Sequence, residues 1–250
     1  MRTLGFMLTG VVMMAGVVVL AVSPLMQAAE APDAREKPAA ASPDGARLVP
    51  ADIKLPKPQF IGTPRILGQN PNLEKYVDKD RPPFLVPEGV TNVALGKPVT
   101  SSEPEPIVGE LTMVTNNDKE GEDGRQVELG PRKQWVQIDL KEPCQVYGIL
   151  IWHYHAEARV YHDVIVQAAD DPDFIENVRT LCNNDFDNSS GLGLGKDMEY
   201  IESHRGRLVD TRGPDGKGIK TRYLRFYSNG NTSNDQSHYT EIEVLGKPAK

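Results

Sequence analysis

The feature that most constrains this chain is a series of short runs in which apolar and polar residues alternate, bounded by Asn, Asp, Gly and Pro. In residues 134–140 the alternation puts Val136, Ile138 and Leu140 on one face. Residues 145–155 continue it through Val146, Ile149, Leu150, Ile151 and Trp152. Residues 160–168 set Val160, His162, Val164 and Val166 against Tyr161, Asp163, Ile165 and Gln167. Two further runs cover 221–227 and 239–245; in the second, Ile242 and Val244 are expected to face in, Glu241 and Glu243 out. A period of two is the signature of strands, and several such runs between turn residues predict an all-β antiparallel sandwich or barrel from about residue 92 onward. One helical turn is predicted over 171–177, opened by Asp171 as cap and Pro172 in the first turn.

The N-terminal third has a different texture. Arg2 precedes an uncharged run from Phe6 to Val22, Pro24 breaks it, and Ala28 and Ala29 follow. Residues 1–29 therefore read as a secretory signal peptide, with an uncleaved membrane anchor as the alternative, since about 17 apolar residues is the lower edge of a span. Eleven of the twenty prolines fall between residues 30 and 90. Residues 30–58 carry few large apolar side chains and are expected to form a flexible tether. Residues 59–91 interleave prolines with Phe60, Tyr76, Phe84 and Val86, which predicts an extended segment, either a plain linker or a strap packed on the domain. The folded domain is expected over 92–250.

A net charge of −7 with scattered Lys and Arg argues against a nucleic-acid partner and against attachment to an anionic membrane. Export makes a disulfide between Cys144 and Cys182 as reasonable as two buried thiols. No nucleophile elbow, HExxH helix or reactive-cysteine setting occurs, and residues 191–197 lack the spacing and the Ser or Thr of a phosphate loop. The chain is expected not to be an enzyme.

Four fragments in order carry a family resemblance: Asn92-Val93-Ala94-Leu95-Gly96-Lys97-Pro98, residues 134–140, Arg222-Tyr223-Leu224-Arg225-Phe226, and Glu241-Ile242-Glu243-Val244-Leu245-Gly246. Together they resemble the discoidin-type domains, also called coagulation factor 5/8 type C domains. The resemblance implies a galactose-binding-like jelly-roll that binds sugars, proteins or lipid head groups through loops at one end. It also implies a structural Ca2+, whose counterparts here are Asn116, Asp118 and Glu241; Asn116-Asn117 replaces the Asp-Gly expected in that loop.

Three loops hold the residue types that recognise sugars: 153–159, 183–191 and 228–238. The residues expected to contact a glycan are His153, His155, Arg159, Asn229, Asn231 and Asn234. His153, His155 and His162 also raise a transition-metal site, against which a solvated sheet edge is the simpler expectation. The loop tips are nearly all polar, which argues against membrane insertion by the domain. The chain is thus expected to be a secreted, periplasmic or surface module that binds carbohydrate, with an adhesion module for a cell-surface protein as the alternative.

Overall fold

The structure, a computed structural model, describes residues 45–60 and 70–249. The signal-peptide or anchor reading of residues 1–29, and the tether as far as residue 44, lie outside the described residues. No described helix is long and apolar enough to cross a membrane.

The strands are β1 (Leu48–Pro50), β2 (Leu85–Pro87), β3 (Thr91–Asn92), β4 (Val99–Ser101), β5 (Val127–Pro131), β6 (Gln134–Trp152), β7 (Ile165–Ala169), β8 (Arg179–Asn183), β9 (Arg207–Asp210), β10 (Ile219–Ser228), β11 (Gln236–Tyr239) and β12 (Glu241–Pro248). Eight of them hydrogen-bond in the order β3-β12-β6-β10-β7-β8, with β4 and β9 also paired to β6; β11 pairs with β5 and β1 with β2. Every pairing between these strands is antiparallel. This is the all-β antiparallel fold that the alternating runs predict.

The 19-residue β6 organises the domain. Its first half, with Val136, Ile138 and Leu140 fully buried, pairs with β4 and β10. Lys141, Glu142 and Pro143 are exposed, and Lys141 has a left-handed backbone (φ 72°). The second half pairs with β12 and β9. Its two ends meet again around Tyr239, whose hydroxyl is 3.0 Å from that of Ser228, opposite Gln134, and whose ring centroid is 5.1 Å from that of His153. Both halves feed one apolar core. Asn92 joins the start of the domain to its end, its Oδ1 accepting from the N–H groups of Ala94 and Val244.

Several expectations are corrected. Residues 45–58 are not simply tether: β1 lies along β2, and Ala51 and Ile53 pack on a second core of Phe84, Val86, Tyr147, Leu150, Trp152 and Leu245. Of the segment read as linker or strap, residues 70–88 are a strap. Leu73 bridges to Glu199, Arg205 binds Asp78 (3.0 Å) and Asp80 (3.2 Å), and Arg207 binds Glu74 (2.9 Å). Phe84 supplies the apolar contact the prolines concealed.

Residues 171–177 form no helix, because the Asp171 carboxylate captures the N–H groups of Asp173 (2.9 Å), Ile175 (3.0 Å) and Glu176 (2.5 Å), while Phe174 and Asn177 are left-handed. The helical turn lies instead at Leu111–Thr115, a 3-10 helix that buries Val114 and Thr115. Glu241 and Glu243 do not face solvent: they are 0% and 4% exposed, since the loop around Asn117 and Lys119 covers that face of β12.

The cysteines are free buried thiols. Cys144 lies opposite Thr221 on β10, whereas Cys182 lies opposite Val166, which faces Phe226 five residues further along β10. An offset of about 16 Å along the strand far exceeds the roughly 7 Å between Cα atoms that a disulfide spans.

Candidate functional site

The segments after β6, β8 and β10 converge at one end of the sandwich. Asp163, ahead of β7, has a left-handed backbone (φ 51°), so the alternation expected over 160–168 breaks there. Its Oδ2 accepts from Ser189 Oγ (2.8 Å), Ser190 Oγ (2.9 Å) and Asn229 Nδ2 (2.7 Å), which ties all three segments together. Asp185 is fully buried and accepts from the N–H groups of Ser189 (3.0 Å) and Ser190 (2.9 Å). Burial raises the Asp185 carboxyl, whereas the Ser189 donors lower that of the exposed Asp187. One carboxylate oxygen from each of Asp163, Asp185 and Asp187 lies within 4.8 Å of the others, close enough to hold one metal ion.

Beside this triad opens a polar cleft of about 380 Å³. Its wall includes His162, Asn184, Phe186, Glu199, Asn229 and, from the N-terminal strap, Asn72. Asn184 is 3% exposed; its Oδ1 accepts from the Val164 N–H (2.6 Å) and its Nδ2 has no protein partner. Glu199 is held by His162 Nδ1 (3.0 Å) and by Asn70, and this hydrogen bond raises the His162 pKa. Asn72 is carried into place by the backbone, whose carbonyl accepts from the Glu199 N–H (2.9 Å).

Of the six residues expected to contact a glycan, only Asn229 lines this cleft. Asn231 and Asn234 bond to each other (2.7 Å) and brace the turn before β11. Arg159 lies over the Tyr154 ring (4.6 Å) and pairs with Glu157 (3.0 Å), so the ring face beside it is covered. His153 and His155 are fully buried, not on a solvated edge. His153 Nδ1 meets Glu202 (2.9 Å) and its ring stacks on Tyr161 (4.3 Å between centroids); His155 Nε2 meets the Lys119 carbonyl (2.9 Å). His153, His155 and His162 each have a separate partner, and no cluster of metal-binding side chains among the described residues contains them. Of the other residues that line the cleft, Asn184 and Phe186 fall in the run 183–191 that composition picks out, whereas Asn72, Asp163 and Glu199 fall in none of the three loops.

At the place where the resemblance implies Ca2+, Glu241 Oε2 accepts from the Asn117 N–H (2.9 Å), Oε1 has no partner, and burial pushes the carboxyl up to about 9. Asp118 is turned to Arg125, and Asn116 Oδ1 accepts from the Asp118 N–H (2.8 Å). A cation is already there: the ammonium of Lys119, hydrogen-bonded to Glu243. Asn116, Asp118 and Glu241 thus each have a protein partner.

His238 lies beneath this end, hydrogen-bonded to Tyr161 (3.0 Å) and 3.5 Å from Glu128. Burial pushes it down to about 4, and the charge of Arg159 and the neighbouring His153 act in the same direction. The unfolded chain takes up the proton near pH 6.5 and the folded one only near 4. The contribution of His238 to stability is therefore constant above pH 6.5 and falls, by up to about 3 kcal/mol, as pH drops through that window. Urea midpoints of wild type and His238→Asn between pH 7 and 4.5 should show a shallower decline in the variant.

No protein-family model matches the chain, and no curated protein matches it. Solved structures with a similar chain trace include the family 89 glycoside hydrolase from Clostridium perfringens (17% identity, TM-score 0.43), where the match covers 63% of this chain and 15% of that one. A fucose-binding module of Streptococcus pneumoniae aligns at 14% identity and TM-score 0.42, over 62% of this chain and 97% of the module. A chitosan-binding module from the chitosanase/glucanase of Paenibacillus sp. IK-5 aligns at 16% identity and TM-score 0.40, over 62% and 98%.

Proposed function

We propose that this chain is an exported, non-catalytic carbohydrate-binding module whose ligand occupies the cleft bounded by Asp163, Asn184, Phe186, Glu199 and Asn229. The observation that carries the reading is Asn184. Its amide is buried in the cleft wall, held in orientation by Val164, and left with an unused donor. A buried polar group without a partner is costly unless a ligand supplies one. Around it stand acceptors, the carboxylates of Asp163, Asp187 and Glu199, and the half-buried ring of Phe186. Mixed donors and acceptors beside an aromatic face complement the hydroxyls and the apolar face of a sugar.

The hard carboxylate oxygens of Asp163, Asp185 and Asp187 fit Ca2+. Bound there, the ion would offset the charge of the triad and fix the 183–191 loop against Asp163. Binding to glycans is therefore expected to weaken in chelator.

The test is a parallel titration of wild type, Asn184→Ala and Lys220→Ala against immobilised glycans. Loss of one ligand hydrogen bond is expected to weaken the Asn184 variant about tenfold, or about 1.4 kcal/mol. Lys220, at the other end of β10, should be silent. Equal binding by all three proteins would remove the cleft as the site.

A further inference from the structure

The loop that covers β12 carries its own cation. Asn117 adopts a left-handed backbone (φ 68°), which presents its N–H to Glu241. Two residues on, Lys119 is 7% exposed, its ammonium hydrogen-bonded to Glu243, 3.3 Å from Asn117 Oδ1 and 5.3 Å from the centroid of the Trp152 ring. A buried ammonium is costly unless its donors are met. Here a carboxylate, an amide oxygen and an aromatic face meet it. The Lys119 carbonyl is in turn taken by His155, so the main chain on which the ammonium hangs is also anchored. Each of the two buried glutamates keeps one oxygen without a hydrogen-bond partner, Glu241 Oε1 and Glu243 Oε2. Lys119 supplies the positive charge of this place.

The residues that the family resemblance assigns to a metal are engaged with protein groups instead. Asp118 is paired with Arg125, and Glu243, two residues along β12 from Glu241, already holds the ammonium. We infer that Lys119 is a covalently attached substitute for a calcium ion, pinning the 116–120 loop to β12 whether or not calcium is present. Calcium bound by the chain then acts elsewhere, at the Asp163 triad. This inference does not rest on the glycan reading: Lys119, Glu241 and Glu243 lie outside the cleft, and the clamp holds whatever the cleft binds.

Thermal melts of the full chain in millimolar calcium and in chelator test it, using wild type, Glu241→Gln, Lys119→Met and the double variant. Glutamine keeps the oxygen that Asn117 needs but cannot bring a charge to a metal. The calcium-induced rise in melting temperature, whatever its size at the triad, is expected to be the same in wild type and Glu241→Gln. Lys119→Met is expected to melt lower in chelator and to gain an additional calcium response that Glu241→Gln cancels. A Glu241→Gln chain that loses the wild-type calcium response would overturn the inference, since the metal would then bind Glu241 despite Lys119. A Lys119→Met chain that folds but gains no calcium response would also count against it. Should Lys119→Met fail to fold, wild type against Glu241→Gln decides alone, because neither removes the ammonium. Glycan binding is read separately, so failure of the cleft assignment leaves these melts unaffected.

Discussion

Glu202→Ala is expected to lower the free energy of unfolding by about 3–5 kcal/mol, the range for removing one partner from a buried ionisable pair. The Glu202 and His153 side chains are both 0% exposed. Glu202 Oε2 meets His153 Nδ1 at 2.9 Å and its Oε1 accepts from the Ser203 N–H at 3.2 Å. His153 is stacked on Tyr161 and lies beside Tyr239, so it cannot turn to water, and its Nε2 already lacks a partner. Without Glu202 the ring keeps only the Tyr200 hydroxyl at 3.4 Å as a side-chain partner, and the tie between the end of β6 and the 200–206 segment is weakened. Urea unfolding would measure the effect. A cost under about 1 kcal/mol would mean that the pair is solvated in solution and this end of the sandwich opens readily.

Phe84→Ala is expected to cost a similar amount, about 3–5 kcal/mol for a buried aromatic side chain. The ring fills a notch made by Gly148: a Cβ there would stand 2.7 Å from it. It packs in the second core with Tyr147, Leu150 and Trp152, and the Arg212 guanidinium lies 4.4 Å above it. Phe84 and Val86 are therefore the apolar anchors of the strap on the sandwich. The ion pairs of Arg205 and Arg207 with Asp78, Asp80 and Glu74 involve partly exposed acids and contribute little each. Gly148→Ala should reproduce much of the loss by pushing the ring out, which separates lost packing at Phe84 from any effect on the unfolded chain. Chemical denaturation of both variants provides the measurement. If neither differs from wild type, residues 70–88 are not part of the cooperative domain.

Residues 134–140 and 221–227 were legible because their alternation is imposed by one core beneath one sheet, a local consequence of period two. Glu241 and Glu243 were misread because a distant loop buries their outer face, and alternation cannot report a tertiary cover. Asp163 was placed in a strand because nothing nearby in sequence announces a left-handed residue; its partners Ser189, Ser190 and Asn229 explain it only once the fold closes. Residues 48–50 were hidden by a proline-rich composition that resembles a linker. The binding end was half legible. The polar runs 183–191 and 228–238 were picked out by composition, and Asn229 with them. Asn72 and Glu199 lie outside those runs, in segments that only the strap and the insertion bring together. His153 and His155 have the chemistry of sugar contacts, but they support this end from inside.

The central claim is that the cleft binds carbohydrate, and binding of the full chain to a multivalent panel of glycans and polysaccharides, in calcium and in chelator, tests it most directly. Multivalent display is needed because a millimolar single-site constant is only about −4 kcal/mol. The account predicts selective binding to a subset of glycans, weaker in chelator. No selective binding at high display density, with the chain folded, would contradict it and move the assignment to a protein partner.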